Sequence, residues 1–174
     1  FDTDLFMPII NKISSICGIK YEGQKEFKII ADHVRTVTFA LADGANFGNN
    51  GRDYILRRLL RRSIRYGKKL GINGIFTNEL VPVIIEIMKD AYPYLSSKLD
   101  MIIKKINTEE ELFNHTLANG EKKLNELFSN NSKIISGIDA FKLYDTYGFP
   151  FELTEEYAKE NGFSVSREEF DKCM

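Results

Sequence analysis

Apolar residues in this chain recur three and four positions apart in one segment after another, and no run of any length alternates apolar with polar. A spacing of three to four puts side chains on one stripe of a helix, whereas a half-buried strand needs a period of two. In "TDLFMPIINKISSICG" the stripe is Leu5, Ile9, Ile13 and Ile16, with Gly18 as the C-cap. In "KEFKIIADHVRTVTFALADG" it is Phe27, Ile30, Val34, Val37 and Leu41, and Gly44 is the stop. The basic segment that follows reads as a helix from Arg52 to Leu70, stopped at Gly71, and another covers about Asn78 to Lys89.

"LSSKLDMIIKKINTEEELFNHTLANGEKKLNELF" is a long helical stretch, read as a hairpin arm, with a break left open at Asn119-Gly120. In "IDAFKLYDTYGFP" a short helix starts at or near Asp139 and is ended by Gly148 and Pro150. "ELTEEYAKENGF" reads as a helix capped by Thr154 or a neighbour, and "SREEF" opens a last one at Ser166 with capping-box character. The predicted fold class is all-α: a helical domain of amphipathic helices, with a long helical hairpin and a short acidic C-terminal helical subdomain. At 43% hydrophobic over 174 residues the chain can build a sizeable core.

No run approaches the roughly 18 apolar residues that span a membrane. "FDTDLF" lacks the basic start and apolar core of a signal peptide. The chain begins without Met and ends inside a helical segment, so an excised fragment is the expectation. Cys17 and Cys173 give no CxxC pair, no disulfide framework and no zinc spacing, and a reducing compartment is the default. His33 and His115 stand alone and read as structural or surface histidines.

The net charge of -1 conceals a strong polarity. Between Arg52 and Lys69 lie eight basic residues and one acid, Asp53, which leaves the remainder at -8. On the basic helix Tyr54 or Ile55, Leu59, Leu60, Ile64 and Gly67 fall to one side. Arg57, Arg61, Arg65 and Lys68 or Lys69 ladder along another, joined by Arg58 and Arg62. Like charges at i,i+4 repel, so a sequence carrying several such pairs needs an anionic partner. Inside the fold, "TEEEL" and the acidic segment 139–174, with nine acids against four bases, could supply it. Outside, phosphate is the natural partner of an arginine fork. Charge alone leaves both open, with some arginines doing each.

Two further stretches carry polar groups of interest. Asn49 and Asn50 precede the helix N-terminus, where backbone N–H groups and the dipole favour anions. Asn side chains also read base edges, although Asn-Gly is ordinary turn chemistry. "LYDTYGFP" sets one carboxylate, Asp145, among aromatics at 144, 147 and 149. It reads as a helix end with core aromatics, or as a rigidly held acceptor for an exocyclic amino group.

"IADHVRTVTFALADGANFGNNGRDYILRRLLRRSIRYGKKLG" resembles the alanyl-tRNA synthetase segment "IADH-R---F-IADG--PSN-GRGYVLRR-IRRA-R-G--LG", and "LYDTYGFPFELTEEYAKENGF" is similar to that family's "LYDTYGFP-DLT". "FDTDLF" resembles the last stretch of its catalytic domain, so order and spacing fit along effectively the whole chain. The resemblance implies a cytoplasmic class II alanine–tRNA ligase, and within it the helical region that recognises the acceptor stem of tRNA(Ala). It divides the chain into the tail of the catalytic-domain region (1–22), a tRNA-recognition domain (23–165) and the start of a linker toward the editing domain (166–174).

By position, Asn49 and Asp145 correspond to the family's pair that grasps a G·U wobble pair from its two groove sides. Arg52, Arg57, Arg58, Arg61, Arg62, Arg65, Lys68 and Lys69 correspond to its candidates for the RNA backbone. No catalytic residue and no metal site are implied here. ATP, Mg and zinc belong to other domains of the parent enzyme, whose catalytic and editing domains are the remaining partners, and this piece alone is expected not to aminoacylate. Phe47 and Gly48 stand where the family usually has Pro and Ser, which points to a looser turn, and Asp53 replaces the Gly of "GRGY". Two other classes stay open: a stand-alone RNA-binding helical module, and a structural spacer whose arginines are all internally paired.

Overall fold

The computed structural model describes residues 1–174 and contains eight α-helices joined by turns, two short 3-10 segments and a two-residue parallel strand pair. The helices are α1 (Met7–Cys17), α2 (Lys25–Ala42), α3 (Gly51–Lys69), α4 (Leu80–Met88), α5 (Leu99–Phe128), α6 (Gly137–Tyr147), α7 (Phe151–Glu160) and α8 (Arg167–Cys173). The chain forms two compact units, Phe1–Glu111 and Leu112–Met174. The mostly helical reading of the sequence is therefore what the chain adopts. The exception is β1 (Ile134–Ile135) paired with β2 (Ser164–Val165), too short to show any alternation.

In the first unit the stripes of α1 and α2 meet over most of their length, but Leu5 precedes α1 and is exposed, and Ile10 takes a core position instead. Ile9, Ile10 and Ile13 pack with Phe27, Ile30, Ala31 and Val34, joined by Tyr66, Phe76, Leu80 and Ile84. Each buried Ile, Leu, Val or Phe side chain here stabilises the fold by roughly 1.5–3 kcal/mol relative to exposure. Helix α1 ends at Gly18 in the left-handed region, φ 72, the conformation a residue without Cβ adopts freely. On α3 the buried stripe is Leu56, Leu60, Ile64 and Gly67, whereas Ile55 is exposed. Gly67 is required by contact: a Cβ there would lie 2.3 Å from the Phe76 ring.

Helix α5 runs unbroken through Asn119-Gly120. The glycine does not end the helix; it accommodates Phe149, whose ring would lie 2.3 Å from an added Cβ. In the second unit Phe149 packs on Phe113 and Tyr157, and the Tyr157 hydroxyl donates to Glu121 at 2.6 Å. The cap of α7 is Pro150; Thr154 lies inside that helix and is fully buried. Ser136 caps α6 by accepting from the Asp139 N–H, and Ser166 caps α8 by accepting from the Glu169 N–H. The Glu169 carboxylate reaches across to accept from the Gly137 N–H at 3.3 Å, at the start of α6. A Cβ on Gly137 would lie 2.6 Å from the Glu169 backbone, so only glycine allows this approach.

Candidate nucleic-acid interface

The turn between α2 and α3 is pinned from both sides. Lys105 of α5 donates to the Ala45 carbonyl at 3.3 Å and to Asn46 Oδ1 at 2.6 Å. From α3, Asp53 Oδ1 accepts from the Asn46 N–H at 3.3 Å, and the Asp53 carbonyl accepts from the Gly48 N–H at 3.2 Å. The turn that Phe47 and Gly48 were expected to loosen is held by hydrogen bonds, and Asp53 makes two of them. The acidic substitution that looked out of place beside a basic helix closes the loop, 3.7 Å from Arg52 Nε.

Asn49 and Asn50 are both exposed at this turn, with Asn50 as the extended N-cap of α3. The Asn50 side chain makes no capping bond. Asn49 Oδ1 accepts from Arg57 Nη1. Arg57 in turn donates from Nε to Glu109 Oε1 at 2.9 Å and from Nη2 to Oε2 at 3.3 Å. Arg61 donates to the same Oε1 at 2.9 and 2.7 Å. Glu109 belongs to "TEEEL", the internal anion source that the sequence suggested.

The eight cations of α3 thus fall into distinct settings. Arg61 and Arg65 are 5% and 1% exposed; neither presents its guanidinium to solvent as a phosphate contact from the surface would require. Arg57, Arg58 and Arg62 are half-buried, while Arg52, Lys68 and Lys69 are exposed. Arg62 Nη1 meets His33 Nε2 at 2.9 Å, and His33 Nδ1 meets Asp32 Oδ2 at 3.1 Å. Because arginine only donates, His33 Nε2 accepts, leaving Nδ1 to donate to Asp32. His33 is thus the satisfied histidine expected of it. Arg62, Arg65 and Lys69 each place a charged group 5.3 Å from the centre of the buried Tyr66 ring. That ring offsets part of the repulsion along the ladder.

In the second unit Asp145 is exposed on the last turn of α6, three residues before the left-handed Gly148 cap, φ 67. Leu143 below it is fully buried, and Tyr144 packs edge-on against Phe170 at 5.6 Å. No side chain of the protein hydrogen-bonds or ion-pairs with the Asp145 carboxylate. It sits at the negative end of the helix dipole, where an anion is disfavoured. Its position is poor for stability and open to a donor from outside.

The sequence reading missed Lys105 and the loop-closing part of Asp53, which become visible only when α5 lies beside the turn. No helix is long and apolar enough to cross a membrane, and no group of three or more His, Cys, Asp or Glu is placed to hold a metal ion.

The chain is 55% identical to the alanine–tRNA ligase of Bacillus anthracis over 183 aligned residues, which cover all of this chain and 21% of that protein. The alanine–tRNA ligase of Lactococcus lactis subsp. cremoris is 50% identical over 181 residues, again covering the whole chain and 21% of the relative. The chain therefore spans about a fifth of the length of the curated relatives it matches. The family described as tRNA synthetases class II (A) matches residues 1–174, so the unbroken run from α1 to α8, with its basic helix and pinned asparagine turn, belongs to that family.

Proposed function

We propose that this chain is the acceptor-stem recognition region of a cytoplasmic alanine–tRNA ligase, and that it selects the G·U wobble pair of tRNA(Ala) for alanylation by an ATP-dependent catalytic core elsewhere in the parent chain. Asn49 carries the reading: it is an exposed carboxamide on a pinned turn, directly ahead of the basic helix, at the position the family resemblance assigns. Asp145 supports it. A wobble pair leaves the guanine amino group unpaired, and an unpartnered carboxylate is its acceptor; the A-form minor groove is wide enough to admit the side chain. Arg52, Lys68 and Lys69 are the exposed cations suited to phosphate, whereas Arg57 and Arg61, paired with Glu109, brace the fold. Mg and zinc, like ATP, are assigned to the catalytic and editing domains.

The test is alanylation and binding of acceptor-stem minihelices carrying G·U or G·C by the full-length parent enzyme. Asn49→Ala and Asp145→Ala should each cost on the order of 1–3 kcal/mol of discrimination. If both variants reject the G·C stem as well as wild type does, the assignment is wrong. Equal salt-insensitive failure of wild type to bind either stem would favour a structural spacer.

A further inference from the structure

We infer that Arg57, anchored by Glu109, is a positioning residue that fixes the hydrogen-bond polarity of Asn49, so that its carboxamide presents only donors to RNA. The inference rests on the reading of Asn49 given above. Arginine has five N–H donors and no acceptor, so the Asn49 branch facing it must be the carbonyl oxygen. The NH2 branch then points away from Arg57. The guanidinium is itself restrained: Nε and Nη2 both bond to Glu109, which is 4% exposed and also holds Arg61. Its Nη1 is the group on Asn49. A buried carboxylate therefore orients a guanidinium, and the guanidinium orients a carboxamide at the surface.

This order has a chemical consequence. In the major groove guanine offers the acceptors N7 and O6, and uracil offers its O4 as thymine does, whereas cytosine offers an N4 amino donor. Facing the pyrimidine, a group that only donates pairs with uracil O4 and opposes the cytosine amino group. A freely rotating carboxamide would not discriminate, because it could turn its oxygen toward the cytosine amino group. Arg57 removes that second orientation. A simple phosphate contact by Arg57 would act differently, weakening both stems to the same degree.

The experiment measures binding of G·U and G·C minihelices to the full-length parent enzyme, with thermal unfolding of every variant. Arg57→Met should lower the G·U to G·C affinity ratio by about tenfold, a typical loss for a base contact. In an Asn49→Ala background the same change should leave the ratio untouched. Asn49→Asp, a near-isosteric surface change, keeps the pairing with Arg57 but turns an acceptor outward, and should shift the preference toward G·C. If Asn49→Ala itself leaves the ratio at the wild-type value, the reading of Asn49 fails. If Asn49→Ala lowers the ratio but a folded Arg57→Met keeps it, or loses both stems equally, the positioning role is overturned. Should Arg57→Met not fold, a wild-type preference in Asn49→Asp overturns the polarity argument on its own.

Discussion

Gly48 and Asp53 meet across the turn so closely that a Cβ on Gly48 would lie 3.0 Å from the Asp53 Cβ. Both positions depart from the segment this chain resembles, and the contact makes them one change rather than two: the missing Cβ admits the side chain that closes the loop. Gly48→Ala should therefore destabilise the first unit by about 1 kcal/mol through overpacking. In an Asp53→Gly background the penalty should disappear. Denaturant unfolding of the four members of this cycle gives a coupling of at least about 0.5 kcal/mol if the two residues act as a pair, and additivity would show that they do not.

The cations of α3 should divide by burial. Arg61→Met takes one of two arginines from a buried carboxylate that Arg57 still holds, and should cost about 1.5–3 kcal/mol, the range for lost hydrogen bonds to a charged group. Arg52→Ala, at an exposed side chain, should change stability by less than about 0.5 kcal/mol. Binding should show the converse. Arg52→Ala weakens G·U and G·C stems alike and reduces the salt slope by about 1. Thermal melts paired with salt titrations decide this; an Arg61→Met variant as stable as wild type would contradict the buried pair.

Glu110 offers a pH-dependent test of the same unit. Its carboxylate accepts from the Phe76 N–H at 3.0 Å, the Thr77 N–H at 3.2 Å and the Thr77 hydroxyl, fixing the entry to α4. Burial raises its pKa above the ordinary carboxylate value, and the three hydrogen bonds only partly oppose that. A carboxyl whose folded-state pKa is raised contributes stability that is fully present below the unfolded pKa and lost as pH rises through the folded one. Glu110→Gln is a neutral stand-in for the protonated carboxyl that does not titrate, so it isolates the pH-dependent part of the Glu110 contribution. The wild-type advantage should be largest in acid and shrink toward neutrality. An advantage that instead grows with pH would mean the ionised form is the stabilised one.

Much of this architecture was legible in the residues because local chemistry and burial agree there. Gly18 and Gly148 end their helices as the sequence indicates, and "TEEEL" supplies the anion that Arg57 and Arg61 require. The failures share a cause: tertiary contact overrides a local signal. Asn119-Gly120 looks like a turn, yet the glycine serves the Phe149 ring inside a continuous helix. Thr154 looks like a cap and is instead buried one turn into α7. Arg65 looks like a surface cation and is among the most buried residues of the chain. The orientation of Asn49 depends on Glu109, sixty residues away, and no spacing rule connects them.

Asp145 gives the sharpest separation of stability from recognition. Its carboxylate has no partner in the protein and lies at the C-terminal turn of α6, where the helix dipole opposes negative charge. Asp145→Asn keeps the shape and removes the charge, so the second unit should gain roughly 0.3–1 kcal/mol. If the carboxylate accepts from the guanine amino group, the same change should reduce preference for the G·U stem, because the amide can present its NH2 where an acceptor is needed. Denaturant midpoints and minihelix affinities measured on one preparation of the full-length enzyme test both halves. A variant that is more stable and less selective supports a residue kept for recognition at the expense of the fold. One that is less stable would show that Asp145 holds the helix end and that its exposure has a structural reason.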